Sequence, residues 1–372
     1  MIVAALKTLG KPFLKDRLLH VLLLVGVILT VFRLSLVKEF ASFVDWTTII
    51  TLLGLMLLTK GVEVSGYFDF IGRRILNGLR SERKLALFLV SAAALLSTFL
   101  TNDVALFIVI PLTMTLKKLS SLPVTRLIIF EALAVNAGSL LTPIGNPQNI
   151  LLWSKSGLSF MAFIAQMTPL MLAMVTTLLL VTWLSFPAQE IQKKADTQGY
   201  PYQKRLLIGC VVLYILFIAC VDLGVAIYGL LAVFVGFLIV ERRVLLHIDW
   251  SLIFVFIVMF IDVRLIVTLA PLQPLFAEIA HLSPPGIFAL GIGLSQIISN
   301  VPATILMMNY LPSSALIAYA VNIGGYGLAI GSLANLIALR MANDRRIWLK
   351  FHYYSLPFLA WGALVGWLLL SL

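Results

Sequence analysis

The chain has 372 residues, 61% of them hydrophobic and only 12% charged, with a mean hydropathy of +1.06. Soluble domains run at about 45–50% apolar and about 25% charged, so this composition excludes an ordinary soluble globule and implies an all-α integral membrane protein. A net charge of +11 would suit a nucleic-acid binder, but basic residues beside membrane spans are the commoner cause; the expected partner is the lipid bilayer, with no nucleic acid.

The N-terminus has a basic start (Lys7, Lys11, Lys15, Arg17) and then an apolar stretch, as a signal peptide would. That stretch runs into Arg33 without a small-residue cleavage site, so it reads as a retained first span. Segments long enough to cross a core of about 30 Å follow near 18–37, 46–62, 126–153, 160–186, 205–222, 224–240, 250–268, 313–340 and 353–371. Two others, 84–118 and 286–312, are apolar on both sides of a polar centre, TND in one and SNVPAT in the other. Their arms are expected to be only about 12 to 17 residues, too short for an upright crossing, which favours re-entrant helical hairpins. With the N-terminus inside, every lysine and arginine falls on the cytoplasmic side except Arg33, Lys38, Lys60, Lys155 and Arg264. The reading is therefore about nine crossings plus two hairpins, N-in and C-out.

Polar side chains, glycines and prolines recur at matching places in two halves. Ser97, Thr101 and Asn102 return at an offset of 198 as Ser295, Ser299 and Asn300. Asn136, Gly138, Ile144, Gly145 and Asn149 return at 186 as Asn322, Gly324, Ile330, Gly331 and Asn335, and Asp45-Trp46 returns at 204 as Asp249-Trp250. The extra span at 205–222 turns the second half over, so the chain is expected to hold two inverted-topology repeats whose paired interruptions mark a binding site. The expected division is 1–83 (first-repeat scaffold spans), 84–186 (first-repeat transport part), 187–204 (cytoplasmic linker), 205–285 (second-repeat scaffold spans) and 286–372 (second-repeat transport part).

At the first tip, Ser97 is expected one helical turn before Thr101 on the same face, with Asn102 and Asp103 at the start of the returning arm, whose backbone donors and positive dipole end face the site. Asparagine donates and accepts, which suits replacement of a hydration shell. In the second hairpin Pro302 fits a first helical position and Thr304 adds a hydroxyl. Segments 136–149 and 322–335 read as interrupted helices with backbone exposed around Gly145, Asn146, Gly331 and Asn335. The first copy is the more polar, which points to one formed cation site there and a degenerate one in the second. Asp103 is the single acid at the presumed centre, matched by Val301, and a carboxylate there must be paired, protonated or bound to a cation. The plainer alternative, hydroxyls and amides bonding between packed helices, remains open. Lys60-Gly-Val-Glu63 and Asp262-Val-Arg264 read as local ion pairs or snorkelling groups, and Glu131 as a partner for Arg126 or an entrant to the site. Cys210 and Cys220 share one apolar run and read as core residues. There is no HExxH, no Ser–His constellation and no nucleotide-binding motif, so an enzyme is not expected.

At TNDVALFIVIPLT and NAGSLLTPIGNPQN the sequence resembles the ion transporter superfamily, particularly its arsenite permease, sodium/proton antiporter and citrate-transporter-like branch. The resemblance implies a homodimer in the bacterial inner membrane, in which a scaffold (about 18–83 and 205–285) carries a mobile transport part (about 84–186 and 286–372) by an elevator motion. In related dicarboxylate/sodium symporters a Ser-Asn-Thr motif at each tip contacts substrate and sodium; here Thr101-Asn102-Asp103 and Ser299-Asn300-Val301 stand in those places. The serine one turn earlier, a sodium-site position in that group, is matched by Ser97 and Ser295. The substrate-binding set is then Thr101, Asn102, Asp103, Ser299, Asn300, Thr304, Asn146 and Asn335. The ion-coupling set is Ser97, Asn102, Asp103, Gly145, Ser295, Asn300 and Gly331, with a sodium ion as the candidate at Ser97, Thr101, Asn102 and Gly145. No cofactor is expected. The leading expectation is a secondary transporter of a small inorganic or organic anion coupled to sodium or protons; a cation/proton antiporter and arsenite-type export are the alternatives.

Overall fold

In a computed structural model of the chain, residues 13–14, 16–192 and 202–372 are described. Lys7, Lys11, Lys15, Lys193, Lys194 and half of the predicted linker lie outside them. The described residues form helices and no strand; the principal ones in chain order are α1 (Arg17–Phe32), α2 (Trp46–Val64), α3 (Tyr67–Gly78), α4 (Glu82–Phe99), α5 (Asn102–Leu119), α6 (Val124–Gly138), α7 (Pro147–Ser156) and α8 (Phe160–Ser185). They continue with α9 (Lys204–Asp222), α10 (Ala226–Val240), α11 (Trp250–Val267), α12 (Pro284–Ile298), α13 (Asn300–Met308), α14 (Ala315–Ile323), α15 (Leu333–Met341) and α16 (Ile347–Ser371). By length and composition α2, α8, α9, α11 and α16 can each cross a membrane, and α1 joins the segment to Phe43 as a sixth candidate bent by 119°. Their outward faces carry exposed Leu, Ile and Val, such as Ile208, Val212 and Ile215 on α9, as expected for contact with lipid rather than water.

The chain divides into two compact units, one drawn from residues 1–70 and 200–276 and the other from 71–199 and 277–372. In the first, α1 packs on α11, while α2 packs on α9 and α10. The Asp-Trp echo is a helix-start motif. Asp45 accepts from the N–H of Thr48 and Asp249 from that of Leu252, each at 3.1 Å. The indole N–H of Trp46 donates to Ala41 O at 2.7 Å and that of Trp250 to Leu245 O at 3.1 Å, five residues back in both cases. An aspartate N-cap satisfies an orphan donor of the first turn, so the two copies solve the same local problem identically.

Lys60 and Glu63 form the predicted ion pair, at 3.0 Å. Asp262 and Arg264 do not. Two positions apart on a helix, side chains point to opposite faces. Arg264 is exposed, whereas Asp262 is 3% exposed with neither carboxyl oxygen hydrogen-bonded.

In the second unit α4 turns back on α5, and α12 on α13. The first turn consists of Leu100 and Thr101, the second of Ser299 alone. The arms α4 and α5 have 18 residues each, about 27 Å at 1.5 Å per residue, longer than the sequence pattern indicates. The apolar count misses the polar first turn of α4 and the Lys117-Lys118 end of α5, which are helical all the same. The second hairpin keeps short arms of 15 and 9 residues. The interrupted helices are α6 with α7, broken over 139–146, and α14 with α15, broken over 324–332 with a 3-10 turn at Ala329–Gly331. The packing is reciprocal: α5 of the first hairpin lies on α15, and α13 of the second lies on α7.

Candidate functional site: two broken helices joined through asparagines

A helix that stops in a buried place leaves N–H and C=O groups without partners, and each must find one. In the second unit, amide side chains supply them. Asn146 caps α7, accepting from the N–H of Asn149 at 2.8 Å, with Pro147 following at the position where a missing N–H costs little. The side-chain amide of Asn149 donates to three carbonyls of the break, Ser139 (3.1 Å), Leu140 (3.3 Å) and Thr142 (3.1 Å).

The same amides then join the two breaks. Asn136 Nδ2 donates to Asn335 Oδ1 at 2.8 Å, and Asn322 Nδ2 donates to Asn149 Oδ1 at 2.7 Å. Since Asn136 matches Asn322 and Asn149 matches Asn335, each bond is the other with the copies exchanged. Asn322 Oδ1 also accepts from Asn146 (3.1 Å) and Gln148 (3.3 Å), and Asn335 Nδ2 donates to Gly325 O at 2.8 Å. All of these side chains are at most 4% exposed. A buried amide network of this kind is favourable only when nearly every group is satisfied.

The helix before each break presses on its hairpin at a glycine. A Cβ at Gly138 would fall 1.9 Å from Ala94 O and 2.4 Å from Ser97 Oγ, and one at Gly324 would fall 2.4 Å from Ser295 Oγ. The following residue ties down a carbonyl where the helix ends: Thr98 Oγ1 donates to Gly138 O at 3.1 Å and Gln296 Nε2 to Gly324 O at 2.7 Å. Thr98 and Gln296 occupy matched positions but differ in type, so identity matching in the sequence passes over them; the signal is their place after the echoed serine.

The first tip is anchored to the first break, where the N–H of Asn102 donates to Gly145 O at 2.9 Å. Thr101 does not share a helix face with Ser97, contrary to expectation, because α4 stops at Phe99 and Leu100 is extended. Thr101 instead caps α5 toward Val104, and Asn102 Oδ1 accepts from the N–H of Asp103 at 3.0 Å. Asp103 is half-buried and its Oδ1 has no hydrogen-bond partner.

The second tip is built differently. Ser299 has φ 72° and ψ 155°, a region that favours glycine, whereas Thr101 has φ −69° and ψ 152°. Ser299 is fully buried and its hydroxyl has no partner. The helix starts at Asn300, so Pro302 is the third helical residue rather than the first, still within the turn whose N–H groups lack helical acceptors. A Cβ built at Gly325 would lie 3.2 Å from Asn300 Nδ2 and 3.4 Å from Asn136 Oδ1, so the second tip, the second break and α6 meet at that glycine.

The remaining predicted residues are buried and engaged. Ser97, Ser295 and Thr304 donate to backbone carbonyls of their own helices, Ala94, Gly291 and Asn300 respectively. Such hydroxyls keep acceptor capacity, as a cation ligand must. Gly331 closes the 3-10 turn of the second break by donating to Leu328 O at 2.9 Å. The structure thus brings Asn102 to Gly145, Asn146 to Asn322, Asn335 to Asn136 and Asn300 to Gly325; no hydrogen bond joins Asn102 to Asn300 among the described residues. Glu131 bonds neither Arg126 nor the tips: it accepts from Thr113 Oγ1 at 2.5 Å, and Arg126 donates to Ser185 O. Among the described residues no cluster of three or more His, Cys, Asp or Glu is placed to hold a metal.

Helices broken in a buried polar centre within an apolar, multi-helix chain are the construction of membrane transporters, in which irregular backbone is tolerated where it lines a site. The family described as Citrate transporter matches residues 15–316. The chain is 58% identical over 363 residues to the Inner membrane protein YbiR of Escherichia coli (strain K12), covering 96% of this chain and 98% of that protein. It is also 31% identical over 322 residues to the Uncharacterized transporter MJ0456 of Methanocaldococcus jannaschii, covering 86% and 87%. A third relative, the Uncharacterized transporter Mb2703 of Mycobacterium bovis, is 27% identical over 340 residues, covering 81% and 79%. The chain belongs to the citrate transporter family and is a membrane transporter.

Proposed function

We propose that this chain is a secondary active transporter that moves a small anion across the inner membrane, coupled to sodium or protons. The observation that carries the reading is the reciprocal pair of bonds, Asn136 to Asn335 and Asn322 to Asn149, which fastens two matching broken helices into one buried polar centre beside both hairpin tips. It supports two copies related by inverted topology. The substrate and ion sets are those named from the sequence, with Asn136, Asn149 and Asn322 added as the frame that holds them. Sodium would find hydroxyl and carbonyl oxygens at Ser97, Thr101, Asn102 and Gly145, all neutral and hard, as such an ion requires. The unit from 71–199 and 277–372 is the moving part, the other is the scaffold, and two copies pair as a dimer for an elevator motion.

The family description names citrate, but Asp103 sets a condition on any polyanion. Its carboxylate would repel a negative substrate until a proton or sodium ion joins it, which is one physical basis for coupling. The unbonded Asp103 Oδ1 also favours a second reading, a cation/proton antiporter with that carboxylate as the exchange site. Proteoliposomes under imposed sodium and proton gradients distinguish the two. Uptake of labelled carboxylates or inorganic anions that follows one gradient supports the symporter; proton release driven by sodium with no anion present supports the antiporter. Anion uptake that persists unchanged after both gradients are collapsed refutes coupling altogether.

A further inference from the structure

Away from the broken helices, the second unit has two adjoining depressions, the first carrying cations and the second apolar. One, of about 330 Å³, lies where the end of α5, the start of α6 and α16 come together; its ten lining residues include Lys117, Thr125, Arg126, Lys350, Tyr353 and Tyr354. Three of the ten, Lys117, Arg126 and Lys350, are cationic. Asp344 lies beside them and accepts from Thr125 Oγ1 at 2.8 Å. The backbone N–H of Arg346 and that hydroxyl hold its carboxyl below the usual range, with Lys350 and Lys117 contributing, so it stays charged and offsets one of the three cations. The second depression, of about 380 Å³, shares Tyr353 and Tyr354 with the first and continues between α6, α8 and α16 over Phe130, Leu133, Val181, Phe358 and Trp361.

A basic hollow that opens through two shared tyrosines into an apolar groove has the polarity of one amphiphile lying along the helices. In a protein surrounded by lipid, basic pockets between spans take anionic headgroups, and each basic contact there is worth about 1 kcal/mol. Tyrosine suits the junction, since its ring lies on apolar surface while its hydroxyl reaches the polar side. The guanidinium of Arg126 is already fixed, donating to Ser185 O and lying 5.5 Å over the Phe186 ring, so little side-chain freedom is lost when it meets a phosphate. We infer that this pair of hollows is a binding site for an anionic phospholipid, its phosphodiester among Lys117, Arg126 and Lys350 and an acyl chain against Phe358 and Trp361.

Native mass spectrometry of the full chain released from mixed vesicles of phosphatidylglycerol and phosphatidylcholine tests it. The parent should retain phosphatidylglycerol in preference to phosphatidylcholine. Lys350→Glu should lower that retention by at least about fivefold, the weight of roughly one basic contact at a membrane surface. Lys118→Glu makes the same charge change at an exposed neighbouring position outside the hollow and should retain lipid like the parent. Equal retention of the two lipids, equal loss in both variants, or release of the bound lipid by inorganic phosphate at matching concentration would each overturn the proposal. A Trp361→Ala variant reads the tail groove separately: it should weaken phosphatidylglycerol while leaving the preference over phosphatidylcholine intact. Unchanged retention in that variant would remove the groove from the site.

Discussion

The two hairpin tips begin from nearly the same sequence and end in different states. Thr101 enters α5 with an ordinary extended backbone, caps it through its hydroxyl, and is followed by Asn102 bonded to the first break and then by an acid. Ser299 enters α13 with φ 72°, leaves its hydroxyl unbonded, and is followed by Asn300 and then Val301. The two tips share the asparagine, while the turn before it and the residue after it differ. The first is a bonded tip that carries an acid. The second is a strained, neutral one, and a strained residue persists only where its surroundings hold it in place.

The frame joining the copies should give the largest response to mutation. Asn322→Ala removes an amide that donates to Asn149 and accepts from Asn146 and Gln148, whereas Asn136→Ala removes a single bond to the other copy. The former should cost about 2–4 kcal/mol and the latter about half of that, read as thermal unfolding of the detergent-solubilised protein. Equal losses would mean that the extra bonds of Asn322 carry no stability.

Next come the glycines. Gly138→Ala drives a Cβ against a backbone carbonyl, while Gly324→Ala meets the side chain of Ser295. The first should destabilise by about 1–3 kcal/mol, and the second should be largely restored by Ser295→Gly. If that second change gives no recovery, the contact drawn between α14 and α12 is not the one that limits packing.

The smallest effect is the one with opposite signs. Ser299→Gly relieves a positive φ and should raise stability by about 1 kcal/mol, while Thr101→Gly loses a cap and adds chain entropy, lowering stability by about 0.5–1 kcal/mol. Matching signs in thermal unfolding would erase the proposed difference between the tips.

Much of this centre was legible in the sequence, and the reason is physical. Buried asparagine amides are costly unless bonded, so they persist where each has a partner, and their repetition at fixed offsets marks the positions as equivalent. The pairing itself was not legible. That Asn136 bonds Asn335, rather than a residue of its own copy, depends on how segments nearly two hundred positions apart pack. The exchange partners therefore stood in the echo without being recognised as the frame. Gln296 was missed because it replaces Thr98 in type while keeping its role, and a longer amide reaches the same carbonyl by another geometry. The sign of φ at Ser299 has no local signature, since nothing in S-N-V-P demands a left-handed residue. The lengths of α4 and α5 were underread because apolar counts stop at the polar turn, whereas hydrogen bonding does not.

The central claim is that both tips serve one site, and the most direct measurement is gradient-driven uptake in proteoliposomes by Asn102→Ala, Asn300→Ala and the double variant, each checked for folding by its unfolding temperature. Each single change should abolish uptake while the protein stays folded, and the double should be no worse than either. Uptake at the parent's rate with either asparagine gone, in a folded protein, would contradict a shared site.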